Sequence, residues 1–257
     1  MRRGLLWLAA IALAVGLTVL VFLPAAWLGP IVERQTDGRL TLGDAQGTLW
    51  RGSAFIGGAP GMNGAVTPLF PGRFAWRLSP LVLLGRVNLT LENAQALSRP
   101  VAVQGSWSEW QVSPAELLLP AAGLAGLGAP LNTLAPSGTL RLSWSALKLA
   151  RQGQAVALHG RTTLSMLDMG SRMSPIKPLG SYELAMDWNG QQASLNLTTL
   201  RGALLLSGTG GLERGRFRFS GQAAAAEGYE DTLGNLLNLL GQRRMVGGKN
   251  IIALEFK

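Results

Sequence analysis

The chain has no cysteine in 257 residues, and this single absence removes disulfides, thiolate metal sites and cysteine nucleophiles together. It has one histidine, His159, which leaves an imidazole-built zinc site short of ligands and a Ser-His-Asp triad with this one candidate base. His159 lies in an alternating run and reads as a surface strand residue. The strings HExxH, GxSxG, GxGxxG and Walker A are absent as well. Charge is scarce, at 14% of residues, and no run of four basic residues occurs although the formal net charge is +9. Nineteen of the 23 basic side chains are arginines scattered along the chain, which describes a solvated surface and not a nucleic-acid-binding tail. What is plentiful is apolar side chains, at 47%, together with 34 glycines and 13 prolines, a balance suited to many short strands joined by turns.

One long apolar run opens the chain. MRRGLLWLAAIALAVGLTVLVFLPAAWLGPIVERQ carries no charge from Gly4 to Val32, and Leu5, Leu6, Trp7, Leu8, Ile11, Leu13, Val15, Leu17, Val19, Leu20, Val21, Phe22 and Leu23 supply its apolar side chains. About 20 such residues in a helix cross a hydrocarbon layer of roughly 30 Å. Arg2 and Arg3 precede the run, so the positive-inside bias keeps the N-terminus cytoplasmic and sends the remainder across the membrane. A cleaved signal peptide would need a shorter stretch ending in a small-x-small site; here Trp27 and Leu28 prolong the apolar segment past Ala26. The expectation is a single-pass inner-membrane anchor in contact with the lipid bilayer.

Beyond Arg34 the period changes to two. RFAWRLSP sets Phe74, Trp76 and Leu78 against Arg73, Ala75 and Arg77, and GRVNLTLEN sets Val87, Leu89 and Leu91 against Arg86, Asn88, Thr90 and Glu92, as half-buried strands do. RLTLGDAQGTLWRGSAFIG reads as strands over 39–42 and 47–56 with a turn at Gly43 and Asp44. Alternation recurs in VAVQGSWSEWQV, GTLRLSWSALKL, QAVALHGRTTL, SYELAMDW, QASLNLTTL, GALLLSGTG and RGRFRFSG, and KNIIALEF ends the chain as a last strand. In WNGQ, Asn189 and Gly190 mark a hairpin between two of these runs. SGTGGLERG, Gly-rich but unlike either phosphate-binding pattern, reads as a turn between strands.

Two stretches depart from this period. Ser113, Pro114 and Glu116 have the spacing of an N-cap, a first helical residue and a capping-box partner, so a short helix is expected there, ended by Pro120 and an Ala/Gly/Pro-rich link. Near the C-terminus Leu233, Leu236, Leu237 and Leu240 fall at i, i+3, i+4 and i+7. Glu230 and Asp231 come early, with Gly241 as the stop and Arg243 and Arg244 late, the pattern of an amphipathic helix. GTLWRGSA at Gly47 and GTLRLSWSA at Gly138 echo one another and would mark two similar halves.

The expected fold is therefore mostly β. A cytoplasmic tail (1–4) and a transmembrane helix (5–28) precede a large curved antiparallel sheet. That sheet is divided into a first periplasmic half (35–112), a short helix and linker (113–137) and a second half (138–257) with a helix near 228–241.

No reactive constellation is legible. The 14 acidic residues are dispersed, so a carboxylate pair for glycan cleavage is not signalled by spacing, and Glu230 with Asp231 suits a helix N-terminus. Alternating Arg214, Arg216 and Arg218 read first as strand charge that guards an edge and second as a surface for acidic partners or lipid phosphates. No catalytic residue, cofactor, metal, nucleic acid or small-molecule substrate is expected.

The most distinctive string is GDAQGTLWRGSAFIG. Gly47 and Gly52 bracket Thr48, Leu49, Trp50 and Arg51, and Ser53 follows; on a strand Trp50 would serve as a core anchor or as an aromatic for a partner. With Trp76, Arg77, Leu78 and Pro80 about 25 residues on, PSGTLRLSW later and a Leu-rich helix near the end, the order of features resembles protein N of the type II secretion system. That resemblance implies a non-enzymatic accessory component of the inner membrane facing the periplasm, with the outer-membrane secretin and inner-membrane platform proteins as partners. The alternative drawn from the strands themselves is an anchored carrier of lipid or of an apolar segment in a sheet trough, and the least favoured is a cell-wall hydrolase.

Overall fold

The computed structural model describes residues 2–62, 64–128, 131–153, 155–213, 215–240, 243–246 and 249–256. Helix α1 (Arg2–Val21) comes first. A 3-10 turn (Ala25–Trp27) and helix α2 (Leu28–Gln35) follow it. The strands begin with β1 (Leu40–Gly47), β2 (Arg51–Gly58), β3 (Thr67–Pro68), β4 (Phe74–Leu78) and β5 (Arg86–Glu92). They continue with β6 (Val101–Ser106), β7 (Glu109–Val112) and β8 (Ala115–Pro120). A 3-10 segment (Ala121–Leu127) and α3 (Leu131–Leu134) lead to β9 (Ser137–Trp144), β10 (Leu147–Gln152) and β11 (Ala155–Gly170). Then come β12 (Gly180–Gly190), β13 (Gln192–Gly202), β14 (Leu204–Glu213) and β15 (Arg216–Ala225). Helix α4 (Glu230–Leu240), β16 (Arg243–Val246) and β17 (Lys249–Phe256) complete the chain.

All strands join one antiparallel sheet that does not close on itself. From β1 it runs through β2, β4, β5, β6 and β7 to β10 and β11. It continues through β12, β13, β14 and β15 to β17 and β16. Long β11 is the spine: its Ala155–His159 part pairs with β10, its Thr162–Gly170 part with β9, and its other side with β12. β8 pairs with β9, so backbone pairing spans the stretch expected as a linker between halves. The two echoing strings also differ locally, since 48–50 form a loop and Thr139, Leu140 and Arg141 lie inside β9.

Alternation places one apolar face across many strands. Leu117, Leu142, Leu164, Leu184 and Leu197 stand opposite one another in register on β8, β9, β11, β12 and β13, all half-buried. At the far end α4 covers this face. Leu233, Leu236 and Leu237 bury against Leu179, Ala203, Leu204, Ala223 and Ile252, the main apolar core. The side chain of Leu240 and the whole of Gly241 and Arg214 lie outside the described residues.

Several expectations are corrected. The capping-box segment is strand β8, not a helix: Ala115–Pro120 pairs with β9, Glu116 and Leu118 bond the 96–98 segment on the other side, and the Ser113 hydroxyl accepts from Ala102 N at 2.9 Å instead of capping. Pro120 would have left only a turn or so of helix, too little to offset nucleation, whereas two flanking neighbours satisfy the strand. Gly43 and Asp44 form no turn. They sit in a bulge of β1, where Asp44 adopts φ 47°, and the hairpin loop falls at 48–50. Gly-rich 207–213 is strand, with the Phe219 side chain over Gly208, Gly210 and Gly221. Arg243 and Arg244 belong to β16 and not to the helix end.

The N-terminal segment is also not one continuous span over 5–28. Arg2 and Arg3 take the first turn of α1, leaving Gly4 to Val21 uncharged, about 27 Å at 1.5 Å per residue against a layer of roughly 30 Å. Pro24, extended at ψ 138°, breaks the helix before the 3-10 turn. Among the described residues no helix is long and apolar enough to cross a membrane. The side chains of Leu5, Leu6 and Leu8 lie outside those described.

Candidate functional site at the helix-to-sheet joint

A helix leaves its last four carbonyls without intrahelical partners. At the end of α1 the loop 48–50 supplies a donor to one of them and another to a carbonyl just past the helix. The indole Nε1 of Trp50 donates to the Leu20 carbonyl at 2.8 Å, and the backbone N–H of Leu49 donates to the Leu23 carbonyl at 2.8 Å. Thr48 and Pro24 form an isolated bridge beside them.

The same loop is held from the sheet side. Trp76 Nε1 donates to the Leu49 carbonyl at 3.0 Å and Leu78 N donates to the Trp50 carbonyl at 2.8 Å. Thr48 N donates to the Arg51 carbonyl, and the Thr48 hydroxyl accepts from Arg51 N at 3.2 Å, closing the turn on itself. The motif's two tryptophans thus act as donors to backbone carbonyls that the sheet ladder leaves free.

The glycines make this approach possible. Gly47, at φ 84°, faces Gly52 across the hairpin. A Cβ on Gly52 would meet Trp76 Cζ2 at 2.5 Å and the Gln46 and Thr48 carbonyl oxygens at 2.8 Å, so any side chain there drives the loop from Trp76. Pro80 opens the 3-10 turn Pro80–Leu84, with the Ser79 hydroxyl accepting from Leu81 N at the cap.

Ser53 belongs to a second, polar cluster. Its hydroxyl accepts from Arg73 Nε at 3.3 Å, and Arg73 reaches the Asp44 carboxylate at 2.5 Å while its guanidinium lies 4.7 Å from the centre of the Phe55 ring. Hydrogen bonds from Arg73 and then Gln46 hold the Asp44 carboxyl below its ordinary range. The β1 bulge that displaced the expected turn aims Asp44 at Arg73. Nothing in the sequence marks Leu20, Leu23, Asp44 or Arg73 as partners of the motif; a tryptophan in a Gly-bracketed stretch is the one hint.

Between the last turns of α1 and strands β2, β4 and β5 lies a cleft of about 740 Å³, with Leu17, Leu20 and Val21 on the helix side and Arg51, Arg77, Asn88 and Thr90 on the sheet side. Arg51 and Arg77 face each other directly in register. A wider groove of about 1280 Å³ lies at the β14–β15 hairpin, where Arg216 and Arg218 share the lining with Glu213 and Glu255. Among the described residues no group of three or more His, Cys, Asp or Glu side chains could hold a metal. His159 is exposed on β11, in register with Lys148 and Asn189.

These features define a class: an open antiparallel sheet fastened by a tryptophan-bearing loop to an N-terminal apolar helix. Within that class, the family model for type II secretion system protein N matches residues 38–251, a span that holds both motifs, and the chain belongs to that family. No curated protein and no solved structure matches the chain.

Proposed function

We propose that this chain is a non-enzymatic accessory component of the type II secretion machinery, held in the inner membrane by its N-terminal segment with the sheet in the periplasm, and acting through contacts with the outer-membrane secretin and the inner-membrane platform. Membership of the protein N family over residues 38–251 carries the reading. Three observations support the anchored topology. The sequence is uncharged from Gly4 to Val32, Arg2 and Arg3 stand before it, and the family motif is spent on gripping the end of α1. A body tied in this way to its anchor holds a fixed orientation to the bilayer, as a scaffold requires. Among the described residues no strand pairs with the outer side of β1, and past Leu40, whose backbone N–H donates to the Thr36 hydroxyl, that side suits strand addition by a partner.

In-cell photo-crosslinking from exposed Gly43 and Gln46 on β1, followed by mass spectrometry, tests the partners. Adducts with the secretin or a platform subunit are expected, and their absence from every exposed strand position sinks the scaffold reading. A reporter fusion at the C-terminus that is active only outside the cytoplasm checks the topology.

A second reading is favoured by one feature: the apolar row Leu117, Leu142, Leu164, Leu184 and Leu197 is half-buried, whereas α4 packs at one end of that face only. Such a trough suits an acyl chain or an apolar segment. Copurifying lipid in native mass spectrometry, lost on Leu164→Asn, is its expected signature.

A further inference from the structure

We propose that the cleft between α1 and strands β2, β4 and β5 binds the phosphate-bearing headgroup of an anionic phospholipid from the adjoining membrane leaflet, with an acyl chain along Leu17, Leu20 and Val21. The inference rests on the membrane-anchored reading above and adds a ligand to it.

The first observation is electrostatic. Arg51 and Arg77 are directly opposite residues on β2 and β4, and both are exposed and line the cleft. Like charges at such positions repel and cost stability unless something of opposite sign sits between them. Among the described residues no acidic side chain lines this cleft. The ion pairs of the described residues use Arg73, Arg141, Arg161 and Arg201, each with a cross-strand or nearby carboxylate, and leave this pair out. A phosphate diester supplies the missing charge, and its oxygens suit guanidinium forks.

The second observation is the lining. Asn88 and Thr90 on β5 extend the polar floor, Thr90 standing opposite Arg77, while the opposite wall is apolar helix. A volume of about 740 Å³ falls within the range of small-molecule sites. Free phosphate would use the floor and leave the wall idle; a phospholipid uses both. The carbonyl end of α1 carries roughly half a negative charge, which opposes an anion, but two full guanidinium charges outweigh it. That end is also partly quenched, because Trp50 already donates to the Leu20 carbonyl.

The test uses the full chain extracted in mild detergent and offered vesicles of phosphatidylethanolamine with and without phosphatidylglycerol, with bound lipid counted by native mass spectrometry. Wild type should retain phosphatidylglycerol in preference to phosphatidylethanolamine. Arg51→Gln/Arg77→Gln should weaken retention by about 30-fold, from two basic side chains at a membrane surface. In lipid-free detergent the same variant should melt no lower than wild type, since a repulsion has been removed; this separates lost binding from lost folding. Equal retention by variant and wild type overturns the proposal, and so does displacement of the lipid by excess inorganic phosphate, which would mark a free-anion site. Capture of an acidic protein segment by the cleft in place of lipid overturns it too. Carbonate extraction runs in parallel: release of wild type from membranes defeats the anchored reading, whereas firm retention with an unchanged lipid count defeats the headgroup site alone.

Discussion

The indole Nε1 of Trp50 stands 2.8 Å from the carbonyl oxygen of Leu20 and donates to it, joining a hairpin loop of the sheet to the end of the N-terminal helix. Because Leu49, Trp76 and Leu78 fix the same loop, the helix end and the first strands form one mechanical unit.

Trp50→Phe keeps an aromatic ring but leaves the Leu20 carbonyl without its donor. A loss of about 1–2 kcal/mol follows, seen as a fall in Tm of about 2–8 °C for a chain of this length. Differential scanning fluorimetry of the detergent-solubilised chain measures it. An unchanged Tm means the bond adds nothing to the joint.

Two glycines flanking the loop, Gly43 and Gly52, should respond differently to alanine. Gly52→Ala forces a Cβ against Trp76 and two carbonyl oxygens and costs about 2–3 kcal/mol. Gly43→Ala, whose nearest neighbour would be the Phe55 Cβ at 4.0 Å, stays within about 0.5 kcal/mol of wild type. Denaturant midpoints of the two variants measured side by side decide the matter.

Leu233 on α4 is fully buried against Ala223 and Ile252. Leu233→Ala removes that packing and leaves a cavity, for a loss of about 3–4 kcal/mol. Faster proteolysis within 225–256, ahead of any change in the first strands, is the expected accompanying sign.

The Tyr182 hydroxyl donates to the Leu204 carbonyl at 3.0 Å, and burial pushes its pKa up to about 12 from 10.0. A phenol pKa raised by folding means that the folded state favours the neutral form. The contribution is fully present below pH 10 and is lost as pH rises from there through 12. Absorbance titration of Tyr229→Phe, which leaves Tyr182 as the only tyrosine, follows this ionisation directly; a midpoint near 10 would contradict the burial.

Legibility tracked the range of the forces involved. Alternation in RFAWRLSP and GRVNLTLEN located β4 and β5, Asn189 and Gly190 located the β12–β13 hairpin, and the spacing of Leu233, Leu236 and Leu237 located α4, because each signal is complete within a few residues. Ser113 to Pro120 misled for the same reason. A capping box is worth about 1 kcal/mol locally, and pairing with β9 and with 96–98 outweighs it. The motif itself was visible as a string, yet Trp50 looked like a strand residue because its partner lies thirty positions away.

The sequence by itself determined the class of the protein: period two sets a sheet, an uncharged N-terminal run sets a helix, and the lack of cysteine with a lone histidine narrows the chemistry. Only the tertiary structure decided where strands end and which residues meet. Such choices turn on hydrogen bonds between distant segments: the grip of the 48–50 loop on α1, the Asp44–Arg73 contact made by a bulge, and the facing of Arg51 and Arg77 over an apolar wall. These energies do not exist until the chain has brought the segments together.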